Sequence, residues 1–207
     1  AGRPLQNMAP VWAGMAFYAA ANIVYPNHPR RCRITLHTQD EILMQAALAE
    51  AASAIDAGEF PVGCVIAAGK RVVATAGRRM SRGVSANEID HAEILALKDL
   101  CERHPGIDPR QLSIYSTLEP CLMCFGAILI SGIGRIVYAL EDVMGGGTAC
   151  ALEHLPPLYS RAEVAIVPRV LRADSLALMH AFFANPANTY LKDTALARHI
   201  IDQASAS

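Results

Sequence analysis

Glu119-Pro120-Cys121-Leu122-Met123-Cys124 is the stretch that decides the reading. Residues 112–117 before it read as a buried strand, and the apolar run 121–130 reads as a buried helix. Pro120 suits a first helical turn, where its missing N–H costs nothing. Cys121 and Cys124 therefore lie near the amino end of that helix, and at a spacing of three their sulfurs share one face. The unpaired N–H groups and positive dipole end there favour thiolates, the form that binds metal.

Working outward, a second short stretch has the same construction. Asp90-His91-Ala92-Glu93 opens a helix over 91–103 with Ile94, Leu95 and Leu97 apolar. Upstream, Thr38 followed by Glu41 is a capping-box pattern, and Ile42, Leu43, Ala46, Ala49 and Ile55 follow at helical spacing until Gly58. Residues 62–68 and 71–76 around Gly69 predict a hairpin. Downstream, 135–140 and 163–167 read as strands and 175–183 as a closing helix. The order α, β, β, α, β, α, β, β, α implies a mixed sheet with helices on its faces. No internal repeat is visible.

Length and composition fit this outline. The chain has 207 residues, 53% of them hydrophobic and 18% charged, enough for one compact domain and unlike disordered, collagenous or coiled-coil chains. Six cysteines in such a chain need not form a disulfide framework, so metal binding or thiol chemistry is the better reading. A net charge of −1 gives no electrostatic reason to expect nucleic acid or an anionic membrane. The charge is uneven: residues 1–37 carry Arg3, Arg30, Arg31 and Arg33 with no acid, and the remainder carries −5. Residues 1–7 read as a trimmed end, with Met8 or Met15 as candidate natural starts. The apolar run 11–25 is shorter than the roughly 20 residues needed to cross a bilayer. It lacks the basic stretch of a signal peptide, so an added segment packed on a cytoplasmic protein is expected. The outline is an extension and linker over 1–37, a domain over 38–184 and a polar tail over 185–207.

Two thiolates and an imidazole, Cys121, Cys124 and His91, form a three-ligand set for tetrahedral zinc that leaves a fourth position for water. Zinc so held can lower the pKa of its water to about 7. Glu93, two residues past His91, is placed to carry protons for that water without ligating. Cys-x-x-Cys alone also describes a redox pair or two core cysteines, and His-Ala-Glu alone describes an ordinary helix surface. Together, with Pro directly before the first cysteine, they match the His-x-Glu and Pro-Cys-x-x-Cys signature of zinc nucleobase deaminases.

On these residues, over about 38–184, the chain resembles the cytidine deaminase-like superfamily, in its branch of bacterial tRNA adenosine deaminases and guanine deaminases. The stretches 58–63, 91–94, 116–124 and 133–138 and the pair Phe182-Phe183 carry the resemblance. It implies a three-layer α/β/α fold around a five-stranded sheet, a homodimer, zinc on His91, Cys121 and Cys124, and Glu93 as catalytic proton shuttle. By the same resemblance the backbone at Ala92 and Pro120 helps hold the base. Where the family commonly has Asn after the second strand, this chain has Arg78, which only donates hydrogen bonds. That points to a more acceptor-rich or anionic substrate, or to an arginine turned to solvent. Tyr190, by position, is a candidate lid residue. The last segment has few basic residues, which argues against a large RNA footprint; a patch of Arg30, Arg31 and Arg33 is the alternative to a solvated linker. Gly145-Gly146-Gly147 lacks the residues of a phosphate loop and reads as a flexible turn. The expected activity is hydrolytic deamination of a base, nucleoside or related heterocycle. The rivals are wobble-adenosine deamination in tRNA and a non-catalytic zinc-binding protein.

Overall fold

The computed structural model describes residues 38–83 and 86–205. The expectations for residues 1–37 lie outside the described residues. Thr38 caps the first helix, α1 (Gln39–Asp56), with the expected reciprocal bonds: its backbone N–H donates to Glu41 Oε2 at 2.6 Å, and its hydroxyl accepts from Glu41 N at 3.3 Å. The hairpin β1 (Gly63–Ala68) and β2 (Arg71–Gly77) follows, then α2 (Ala92–Arg103), β3 (Leu112–Leu118), α3 (Leu122–Ser131) and β4 (Arg135–Leu140). A short helix α4 (Pro157–Ser160), β5 (Ala165–Val167), α5 (Arg172–Ala184) and α6 (Ala195–Ser205) complete the described chain.

The strands form one five-stranded mixed sheet in the order β2-β1-β3-β4-β5. β1 runs antiparallel to β2 and β3, whereas β3, β4 and β5 are parallel, with α3 spanning the β3-to-β4 connection. Alternate residues of each strand point to opposite faces, and the sheet is apolar on both. Val65, Ala67, Tyr115, Val137 and Ala139 pack with Leu43, Met44 and Ala47 of α1. Ile66, Ile114, Ile136 and Leu140 pack with Ala96, Leu97 and Leu100 of α2 and Phe125, Ile128 and Leu129 of α3. The result is the three-layer α/β/α arrangement expected from the motifs.

Two readings of the sequence differ from the structure. The buried stripe of α1 is Leu43, Met44, Ala47, Ala51 and Ala54, and Ile42 is half exposed. Alanines surround this helix, so packing rather than pattern selects its inner face. The second difference is α6, in a stretch that read as a polar tail. Leu196 and Ile200, one helical turn apart, join the same buried cluster as Phe182 and Met179, and Thr194 Oγ1 accepts from Ala197 N at 3.3 Å as an N-terminal cap. No helix among the described residues is long and apolar enough to cross a membrane.

Candidate active site

Both motif stretches do one thing: each puts a metal-binding side chain at a helix start. His91 occupies the N-cap of α2 and Cys121 the N-cap of α3, with Cys124 in the first turn of α3. Neither cap side chain bonds to its own helix, so both face inward to a common point. His91 Nδ1 lies 3.5 Å from each sulfur. A tetrahedral zinc with ordinary Zn–N and Zn–S bonds separates nitrogen from sulfur by about 3.6 Å, so the donor set fits the ion. Among the described residues, this is the His/Cys/Asp/Glu group close enough to hold a metal.

The two thiols divide their protons unequally. The neighbouring Cys124 and the His91 ring, both within hydrogen-bonding reach, hold the Cys121 thiol down to about 4. Cys124 is correspondingly raised. His91 is raised, chiefly by its hydrogen bond to Cys121. Cys121 is thus the readier thiolate of the two, and a cation displaces the protons that remain on the cluster.

Glu93, in the first turn of α2, is 3% exposed. Its Oε1 accepts the Ser116 hydroxyl at 3.0 Å and its Oε2 lies 3.6 Å from Cys124 Sγ. Burial pushes its carboxyl above the ordinary glutamate value. The structure therefore brings Glu93 together with His91, Cys121 and Cys124.

These groups open on a cavity of about 190 Å³. Phe60, Val62 and Leu118 supply apolar walls; Arg78 and Glu88 come from the segment after β2, and Asp142, Met144 and Gly145 from the loop after β4. Tyr190, Leu191 and Leu196 close it from the carboxyl-terminal segment. Ala92 lines the cavity. Pro120 is buried beside it, outside the lining, and its carbonyl accepts from Gly147 N at 2.9 Å.

Arg78 is not turned to solvent. It is 3% exposed, donating from Nη1 to the Asn87 carbonyl at 2.8 Å and from Nη2 to Glu88 Oε2 at 3.1 Å. Glu88 offsets the charge of the guanidinium. Tyr190 donates its hydroxyl to the same Glu88 oxygen at 2.8 Å, and its ring lies 5.4 Å from that of Phe60.

The glycine run is a strap, not a flexible turn. Glu119 is 8% exposed and accepts from Asp142 N at 3.2 Å, from Thr148 N at 3.2 Å and from the Thr148 hydroxyl at 2.5 Å. Gly146 bridges to Cys121. A Cβ on Gly147 would stand 2.8 Å from Leu122 Cα, so glycine is required for close approach to the start of α3. Glu88, Ser116, Glu119 and Asp142 were not singled out from the sequence. Glu119 lies inside the quoted motif, and its position there was the available signal.

Residues 37–140 match the family model of the cytidine and deoxycytidylate deaminase zinc-binding region. The tRNA-specific adenosine deaminase of Bacillus subtilis is 31% identical over 146 residues, covering 70% of this chain and 89% of that protein. The corresponding enzyme of Agrobacterium fabrum is 34% identical over 143 residues, 62% and 89% of the two chains. Among solved structures, one from a study of A-to-I editing by tRNA:A34 deaminases is 29% identical with a TM-score of 0.58, covering 66% of this chain and 98% of that one. The guanine deaminase of Nitrosomonas europaea, at 21% identity and TM-score 0.57 over 81% and 98%, shares the fold. The matched region runs from the first helix to the end of β4 and contains both helix starts that converge on the cluster; the chain belongs to the cytidine and deoxycytidylate deaminase family.

Proposed function

We propose that this protein is a zinc-dependent hydrolytic deaminase that exchanges the exocyclic amine of a free base, nucleoside or related heterocycle for a carbonyl oxygen, consuming water and releasing ammonia. The observation that carries the reading is the buried Glu93 carboxyl group beside a three-ligand His/Cys/Cys cluster at the wall of a cavity. His91, Cys121 and Cys124 would hold the zinc, which supplies a Lewis acid that acidifies water at neutral pH. Glu93 takes the water proton and delivers it to the ring nitrogen and the departing amine. Its raised proton affinity suits both halves of that task. Ser116 fixes one carboxylate oxygen, and Phe60, Val62 and Leu118 exclude bulk water from the ring.

The cavity favours a small molecule. At about 190 Å³ it falls below the roughly 300–1,000 Å³ of sites for drug-sized ligands. With Arg78 and Glu88 paired, Asp142 in its lining would meet a phosphate chain with like charge. The tRNA-specific relatives favour a second reading, wobble-adenosine deamination. An ammonia-release screen over bases, nucleosides, nucleotides and an anticodon hairpin, run beside Glu93→Ala, decides between them. Turnover of small heterocycles is expected; inosine formation in the hairpin alone would establish the second reading, and inertness throughout would leave a non-catalytic zinc protein.

Two further readings belong to the same proposal. Leu122 and Ile130 of α3 and Leu158 of α4 are 62%, 59% and 65% exposed, an apolar surface that suits a homodimer contact. A cluster needing two reduced cysteines suits a reducing compartment such as the cytoplasm.

A further inference from the structure

Arg78 and Glu88 stand side by side in the cavity wall with opposite charges. A guanidinium carries five N–H donors and a carboxylate two acceptor oxygens. The Asn87 carbonyl takes one donor of Arg78, Glu88 Oε2 takes another, and the Tyr190 hydroxyl lies against the guanidinium as well, leaving part of its five-donor set free. That same Oε2 also accepts the Tyr190 hydroxyl, and Oε1 has no partner among the described residues. The wall therefore presents unused donors next to an unused acceptor, at no net charge.

We propose that this pair reads a cyclic-amide edge of the substrate, a ring N–H adjoining a ring C=O, with Arg78 donating to the oxo oxygen and Glu88 accepting from the N–H. The inference rests on the deaminase reading of the site and names its substrate class: heterocyclic amines that carry a lactam. A neutral pair gives no advantage to an anionic ring, and a ring edge of bare acceptor nitrogens leaves Glu88 facing a lone pair. A site built to hydrogen-bond an edge disfavours analogues lacking it, because its buried donor, here Arg78, then gains no acceptor from the ring. Tyr190 shares the Glu88 oxygen and so holds the acceptor in place from the closing segment.

The test uses matched rings that keep the amine and differ at the edge: isocytosine against 2-aminopyrimidine, and guanine against 2-aminopurine. Equilibrium dialysis with zinc-loaded Glu93→Gln protein measures affinity without turnover. The lactam member of each pair is expected to bind at least about tenfold more tightly. Glu88→Ala, at a side chain 60% exposed, should erase most of that preference by weakening the lactam member of each pair and relieving the lone-pair clash of the other. Arg78→Asn should reduce the preference as well, with thermal melting to confirm its fold. Equal affinity within both pairs, or no binding by any of the four rings, overturns the proposal. Ammonia release by the unaltered protein is read separately. Selective binding without turnover leaves the edge assignment standing and removes the deaminase reading, whereas turnover without selectivity removes the edge assignment alone.

Discussion

Glu93 has one hydroxyl partner and a sulfur neighbour, and everything proposed for catalysis passes through it. Glu93→Gln should keep the metal and lose about 10²–10⁴-fold in turnover, measured by ammonia release with metal analysis on the same preparation. Cys121→Ser should do the reverse at the first step, because the thiolate held near 4 is the site's ready-made ligand: metal content falls, and activity falls with it. These positions were legible in the sequence because zinc chemistry prescribes residue types at short fixed spacings beside helix starts. Arg78 was noticed as a departure, yet its burial and its Glu88 partner were not readable. Glu88, Asp142 and Tyr190 come from three separate loops, and no local pattern announces that they meet.

At the scale of elements, the strap 142–148 and the α5–α6 pair frame the cavity from two sides. Gly147→Ala would force a side chain against the backbone of Leu122. It is expected to cost about 1–3 kcal/mol, read as a lower denaturation midpoint, together with loss of activity as the strap lifts. Glu141, at the end of β4, accepts from Arg172 of α5, whose Nη2 also reaches Gln203 of α6. Arg172 holds the Glu141 carboxyl down to about 2. A depressed carboxyl contributes stability that is fully present above the ordinary glutamate value and is lost as pH falls from about 4.5 towards 2. Arg172→Ala should therefore move the acid-unfolding midpoint to higher pH, followed by circular dichroism. The capping box, the hairpin and the order of strands were readable because local chemistry sets them. The α1 face was not, because an alanine-rich helix shows no dominant stripe; α6 was passed over although Leu196, Ala197 and Ile200 recur at helical spacing, since His199, Asp202 and Gln203 between and after them give the segment a polar composition.

Across the whole molecule, the cluster joins helices α2 and α3, so an ion held there ties two elements of one layer together. Chelation should lower the melting temperature by several degrees, since a ligand at about a hundredfold over its dissociation constant is worth roughly 3 kcal/mol. Zinc readdition should restore it, as followed by calorimetry. Should the α3 surface be a homodimer contact, Leu122→Glu would yield a monomer by light scattering. The dependence of the cavity on Leu196, far along the chain from the last ligand Cys124, has a temporal side. A polypeptide emerging from the ribosome exposes all three metal-binding side chains well before the helix that completes the enclosure has been translated. Loading with the ion can therefore precede competence, and the nascent chain, its hollow still open on one flank, should be unable to act on the molecules around it until α6 has been made and has docked.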